Sequence, residues 1–258
     1  MDVSAGAEFE KLIELMARLR GPDGCAWDRE QTMASLRPFV LEEAYELVDA
    51  IGQDSTEAVC EELGDLLLEV VFVAQVGIEA GAFTMPEIVR GIREKLVRRH
   101  PHVFESKTAD GAAEALAHWE DIKAKEKPSR KSHLDGVPRS LPALSRAAKI
   151  SKRAAHAGFD WDSREHVLEK IDEEVLELKE AVRAGDESSV HEELGDLLFA
   201  IVSFARLSKT DGEVALLDAN EKFSRRFRFM EERLAADGKS IESTSMVELE
   251  RLWTEAKN

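Results

Sequence analysis

The chain of 258 residues repeats itself, and the period is the size of a domain. Leu41-Glu42-Glu43-Ala44-Tyr45-Glu46 returns as Asp172-Glu173-Glu174-Val175-Leu176-Glu177. Glu61-Glu62-Leu63-Gly64-Asp65-Leu66-Leu67 returns as Glu192-Glu193-Leu194-Gly195-Asp196-Leu197-Leu198. Both recurrences sit at an offset of 131 residues, so the internal spacing is the same in each copy. All four tryptophans join the pattern at offset 134: Trp27 with Trp161, and Trp119 with Trp253. Glu94-Lys95-x-x-Arg98-Arg99 matches Glu221-Lys222-x-x-Arg225-Arg226 at offset 127. Small changes of offset are what loop insertions produce. A solenoid repeats every ~20–50 residues, so two homologous domains are expected instead.

The join is visible as Lys127–Pro142, which holds three of the seven prolines. The sequence divides into an N-terminal domain at 1–127, a linker at 128–142 and a C-terminal domain at 143–258. Helical periodicity dominates, while β-branched alternation bounded by turns is scarce. Helices are expected over Phe9–Arg20, Pro38–Gly52, Thr56–Gly81, Met85–Arg99 and Gly111–Lys127, then over their counterparts in the second half. The expected fold class is all-α, with tandem helical-bundle domains. With 43% hydrophobic residues the chain can fill a core. A net charge of −17 opposes general binding to nucleic acid or anionic membrane. Cys25 and Cys60 are too few for a disulfide framework or a thiol metal cluster. The first residues lack the pattern of a signal peptide, and no apolar run reaches the ~20 residues of a membrane span. The expected location is the cytoplasm.

Four carboxylates fall in the apolar arc of their helices. Glu43 has Val40, Ala44 and Leu47 at −3, +1 and +4. Glu174 has Ile171, Val175 and Leu178 at the same offsets. Glu62 has Val59, Leu63 and Leu66, and Glu193 has Val190, Leu194 and Leu197. On a helix of 3.6 residues per turn those offsets surround a side chain. A carboxylate so placed needs a partner, because an isolated buried charge is costly. Its helical neighbours add like charge: Glu42, Glu46 and Asp65 in the first copy, Glu173, Glu177 and Asp196 in the second. Two such helices face to face would gather four or five carboxylates. A divalent cation resolves the repulsion, and all-oxygen ligands favour Mg²⁺ or Mn²⁺ over Zn²⁺. A ferritin-like di-iron site would need Glu-x-x-His on two helices, and neither copy has it. Lys or Arg from elsewhere in the fold is the competing source of positive charge. Gly64 and Gly195 interrupt the second helix of each copy at about 1 kcal/mol relative to Ala. Either close helix packing or room for a ligand accounts for them.

Cations and aromatics complete each copy. Lys222, Arg225 and Arg226 share one helix face, as do Lys95, Arg98 and Arg99. Beside a metal site such donors suit the oxygens of a polyphosphate that the metal does not reach. Trp119 and Trp253 each precede a lysine by four residues and can serve as core or as a base platform. No Walker A sequence and no dinucleotide fingerprint follows a strand. The residues thus favour metal-dependent phosphate chemistry on an all-helical scaffold. A nucleotide-sensing or protein-interaction module with a structural cation is the alternative of a different class.

The pattern Glu-Glu-x-x-Glu, a gap, then Glu-x-x-Asp resembles the all-α nucleoside triphosphate pyrophosphohydrolases. The strings RLRGPDGCAWDREQT, LEEAYELVDAI, EELGDLLLEVVF, KLVRRHPHVF and SLPALSRAAKISKRAAHAGFDW resemble the two-domain MazG family over nearly the whole chain. The resemblance implies helical bundles assembled as a homodimer. It implies hydrolysis of an NTP or dNTP to the monophosphate and pyrophosphate with Mg²⁺, a nucleotide-pool house-cleaning activity. Carried onto this chain, Glu174, Glu177, Glu193 and Asp196 would ligate the metal. Lys222 and Arg226, with Arg225 on the same face, would hold phosphates, and Trp253 would line the nucleotide site. Glu43, Glu46, Glu62 and Asp65 form an equally complete N-terminal set, with Lys95, Arg98, Arg99 and Trp119 beside it. Glu173, and Glu42 in the other copy, would orient the water or a second ion. The family resemblance and the lower net charge of the second half, −6 against −11 for residues 1–130, favour the C-terminal site.

Overall fold

The computed structural model describes residues 4–53, 55–105, 108–126 and 132–257. Among them are twelve α-helices and no strand. The chain divides into two compact units, 1–128 and 129–258. The first unit contains α1 (Ala5–Leu19), α2 (Ala26–Glu30), α3 (Arg37–Gly52), α4 (Thr56–Glu79), α5 (Met85–Arg99), α6 (Pro101–Phe104) and α7 (Ala112–Lys125). The second contains α8 (Ala143–His156), α9 (Arg164–Ala184), α10 (Glu187–Leu207), α11 (Gly212–Ala236) and α12 (Met246–Glu255).

Local chemistry sets the helix ends. Ser4 accepts from the Ala7 amide, so α1 starts four residues before the expected Phe9. Thr84 and Glu87 form a reciprocal capping box at α5. Ser163 caps α9, and Asp186 caps α10 through the Ser188 and Ser189 amides. Between α9 and α10 the chain turns at Gly185, whose φ of 68° suits a residue without Cβ. The short α2 and α6 carry too few residues for a periodic signal and were not expected from the sequence.

In the first unit α3 and α4 pack along each other, and α1 lies against α4. Their core is Met16, Leu36, Val71, Phe72, Ala74 and Met85. In the second unit α9 and α10 form the equivalent pair, and α8 and α11 both pack on α10. Met230, Leu234 and Leu252 join α11 to α12. The Pro-rich join is tied to the second unit where it is described. Arg153 of α8 donates to the carbonyls of Leu134, Asp135 and Gly136. Residues 127–131, which hold the expected end of the N-terminal domain and part of the linker, lie outside the described residues.

Candidate active site

Each copy places its carboxylates on the facing surfaces of one helix pair. Glu43 on α3 meets Glu62 and Asp65 on α4, with one oxygen of each within 4.8 Å of the others. Glu174 and Glu177 on α9 meet Glu193 on α10 within the same limit. The contact between the paired helices makes this possible: i, i+3 spacing stacks Glu62 with Asp65 and Glu174 with Glu177. Glu46 and Asp196 lie outside those two tight groups. Their charges still act on them, Glu46 on Glu43 and Glu62, and Asp196 on Glu193.

The electrostatics are unfavourable without a counter-charge. Burial, then Glu46, Asp65, Glu62 and Glu42, push the Glu43 carboxyl above its ordinary range. Burial, then Glu46, Asp65 and Glu61, do the same to Glu62. Burial, then Glu177, Glu174, Glu192 and Asp196, raise Glu193. Glu174 is 4% exposed. The Oε2 atoms of Glu62 and Glu174 are buried without a hydrogen-bond partner among the described residues. Oxygens on opposite sides of a bound Mg²⁺ or Ca²⁺ lie about 4–5 Å apart. The carboxylate groups therefore fit a hard divalent cation in spacing, donor type and orphaned lone pairs.

Two residues near the clusters were not singled out from sequence. Lys170 on α9 reaches both Glu173 and Glu174 at 2.8 Å. Those two carboxylates hold its ammonium charged well above the ordinary lysine range. The signal was present as i, i+3 and i, i+4 spacing, and its first-copy counterpart at offset 131 is Phe39, which packs on the core. Glu69 on α4 is 8% exposed, and burial followed by the charge of Glu43 raises its carboxyl. Its counterpart is Ala200. Glu42 and Glu173, the expected water-orienting residues, are both exposed, and Glu173 is held by Lys170.

The basic residues differ between copies. Arg98 and Arg99 on α5 both pair with Glu126, whose carboxyl is drawn down to about 2, chiefly by its hydrogen bond from Arg99. Arg99 also lies over Trp119 at 5.2 Å, with Lys123 at 4.5 Å from the same ring. Glu126 is 27 residues from Arg99, so sequence spacing gave no signal of the pairing. Lys95 is exposed. On α11, Lys222 and Arg225 are exposed, and Arg226 lies over Trp253 at 5.6 Å. Phe223 packs on the same indole with ring centroids 5.1 Å apart. No ion pair engages Lys222, Arg225 or Arg226 among the described residues. An open cleft of about 430 Å³ has Trp161, His166, Lys170 and Glu173 in its wall, and Lys170 links it to Glu174.

Among the described residues, Gly64 and Gly195 do not mark close helix packing. A Cβ at either position would meet no atom within 4 Å. Of the two readings of these glycines, free space remains.

Residues 31–104 and 162–231 each match the MazG nucleotide pyrophosphohydrolase domain. The chain belongs to the MazG family. It is 47% identical over 254 residues to the nucleoside triphosphate pyrophosphohydrolase/pyrophosphatase MazG of Thermotoga maritima, covering 98% of this chain and 97% of that one. It is 46% identical over 255 residues to the nucleoside triphosphate pyrophosphohydrolase of Escherichia coli K12, covering 97% of each. A crystal structure of a mazG-related protein from Thermotoga maritima overlays on 45% of this chain and 98% of its own, with a TM-score of 0.39 and 25% identity. Both MazG matches span the helix pair that carries the carboxylates, α3 and α4 in one copy and α9 and α10 in the other.

Proposed function

We propose that this MazG protein hydrolyses nucleoside triphosphates, NTP or dNTP, to the monophosphate and pyrophosphate, with Mg²⁺ or Mn²⁺ as cofactor. The observation that carries the reading is the metal-sized carboxylate cluster on α9 and α10; α11, which packs on α10, adds cations with no ion-pair partner among the described residues. Glu174, Glu177 and Glu193 would hold the ion, with Asp196 adjacent. When bound, Mg²⁺ supplies charge neutralisation of the phosphates and a more acidic water. Lys222, Arg225 and Arg226 bind phosphate oxygens, and Trp253 offers an indole face to the nucleotide. Glu173, on the cleft wall, accepts the proton of the attacking water while Lys170 fixes its position. The bond between α and β phosphates breaks and pyrophosphate leaves.

The C-terminal site carries most turnover in this reading. Its cations are available, whereas Glu126 neutralises Arg98 and Arg99 in the other copy. Such a reaction suits removal of unwanted nucleotides from a cytoplasmic pool.

The active form is a homodimer. Tyr45, Leu63, Leu67 and Val70 are 40–53% exposed, and their repeat partners Leu176, Leu194, Leu198 and Ile201 are 44–53% exposed. Leu63, Leu67 and Val70 form one face of α4, and Leu194, Leu198 and Ile201 one face of α10. Two compact domains of half this mass would expose about 13,700 Å² together, while the chain exposes 18345 Å². A second copy with like units paired covers repeated apolar faces symmetrically.

The reaction is tested by incubating the full chain with a panel of NTPs and dNTPs and Mg²⁺ and identifying the products. Monophosphate and pyrophosphate are expected. Orthophosphate, or no turnover with any nucleotide, overturns the reading.

A further inference from the structure

Trp27 and Trp161 hold matching places in the two copies, yet their surroundings differ. In the first unit Trp27 lies edge-on to Phe39 and Phe72, with ring centroids 5.9 Å and 6.4 Å away. The residues at offset 131 from those two partners are Lys170 and Ser203, and neither offers a ring. Lys170 turns its ammonium to Glu173 and Glu174. Ser203 is buried on α10 against Ser151 of α8. Among the described residues no aromatic ring or cation lies over Trp161, and its indole, 39% exposed, forms part of the cleft wall. The cleft volume of about 430 Å³ falls within the ~300–1,000 Å³ usual for small-molecule sites. The backbone beside the indole is pinned. Asp160 accepts hydrogen bonds from Arg206 of α10 and from the Trp161 amide, the latter at 2.9 Å. Arg206 also donates to Ser151 at 3.0 Å, so α8, α10 and the tryptophan loop are tied together.

The charge of the wall decides which part of a nucleotide it can take. Asp160, Asp162, Glu169 and Glu173 stand there with Lys170 and His166. The ammonium of Lys170 is already shared between Glu173 and Glu174. Such a wall repels phosphate oxygens. A neutral base is not repelled, and it gains from a free indole face. We propose that Trp161 is the platform on which the base of the nucleotide stacks at the C-terminal site. This rests on the reading of that site as a nucleoside triphosphate pyrophosphohydrolase centre. Trp253 already has Arg226 over its ring and Phe223 packed on it, which ties it to the cationic side of α11 and so to the phosphates. Stacking asks for no base-specific hydrogen bond, so the cleft accepts several bases, and purines more tightly than pyrimidines because more ring overlaps. The first unit offers no equivalent platform, because Phe39 and Phe72 engage Trp27.

The test compares the full chain with Trp161→Ala and Trp161→Phe in the presence of Mg²⁺. Two quantities are read: KM and kcat for ATP, GTP, CTP and UTP, and the inhibition constant of inorganic tripolyphosphate, which has phosphates and no base. In Trp161→Ala the KM for ATP and GTP should rise about tenfold or more, the loss that follows removal of a stacked aromatic ring. The rise for CTP and UTP should be smaller. Because the stack is present before and during reaction, kcat should hold. Inhibition by tripolyphosphate should not change, since nothing in it touches the indole. Trp161→Phe keeps a ring and should recover most of the affinity. Trp161→Leu keeps apolar bulk without a π face, should behave as the alanine variant does, and serves if that variant does not fold. An unchanged nucleotide KM in Trp161→Ala or Trp161→Leu, with pyrophosphate still released, would overturn the inference and leave the reaction standing. Equal weakening of nucleotide and tripolyphosphate would also overturn it, because the indole would then shape the phosphate site instead of holding the base. A parent chain that turns over no nucleotide would sink the reaction reading and this inference with it.

Discussion

At the scale of single residues, duplication preserved the ligand types and changed what surrounds them. The motif glutamates recur at fixed spacing, yet Lys170 replaces Phe39 and Ala200 replaces Glu69. Glu126 engages Arg98 and Arg99, and no described acidic residue does so for Arg225 and Arg226. These exchanges, more than the motif, separate the two sites. Glu193→Gln should therefore lower pyrophosphate release by about 100-fold, while Glu62→Gln should leave most of it. Each change removes one ligand charge and nearly keeps shape. If Glu62→Gln abolishes activity and Glu193→Gln does not, the dominant site is the N-terminal one. Equal halving would mean two independent sites.

At the scale of elements, the proposed function rests on a helix pair. α3 with α4, and α9 with α10, bring repelling carboxylates together, and their packing holds the charges there. Glu43, Glu62, Glu69 and Glu193 all have raised carboxyl pKa values through burial and neighbouring negative charge. A raised value means that the folded state binds the proton more strongly than the unfolded chain. The associated stability is complete below the ordinary Glu range, about 4.3, and is lost as pH rises through the raised value. Glu126 has the opposite sign: its stabilisation is present above the ordinary range and is lost as pH falls through about 2. It stays constant between pH 5 and pH 7. With chelator present, the melting temperature should climb as pH is lowered through the raised values of these carboxyls towards the ordinary Glu range. Excess Mg²⁺ should raise the melting temperature most at pH 7 and flatten that slope, because the ion favours the ionised carboxylates. Calorimetry over this pH range, with and without Mg²⁺, would expose the opposite trend if the clusters were neutralised by lysine or arginine instead.

At the scale of the whole molecule, no described helix is long and apolar enough to cross a membrane. The exposed leucines of α4 and α10 belong to the proposed dimer interface. Their repetition at offset 131 points to the same kind of cover in both units. Sedimentation at micromolar concentration should give twice the 28.8 kDa chain mass. Leu67→Glu combined with Leu198→Glu should yield monomer and lower pyrophosphate release. A parent protein that sediments as monomer would count against the dimer.

The sequence by itself determined the all-α class, the duplication, and the carboxylates that face one another. Helical periodicity is local, and a repeat at fixed offset copies both the pattern and its packing partners. Met85–Arg99 was legible to its last residue because a capping box starts it and Pro101 follows it. The ends of α1 and the short α2 and α6 were less legible, since caps and single turns leave weak periodic signals. Only the tertiary structure decided that Glu126 neutralises Arg98 and Arg99, that Lys170 rather than another cation reaches Glu174, and that Glu69 is buried with an unpartnered oxygen. The first and last depend on which side chains meet or cover one another across different helices, which spacing along one helix does not encode; the Lys170 contact lies within α9, where spacing allows it but does not choose it over a cation from another helix. The free space beside Gly64 and Gly195 was likewise settled in three dimensions, because a glycine in a helix reads the same whether a neighbour presses on it or nothing does.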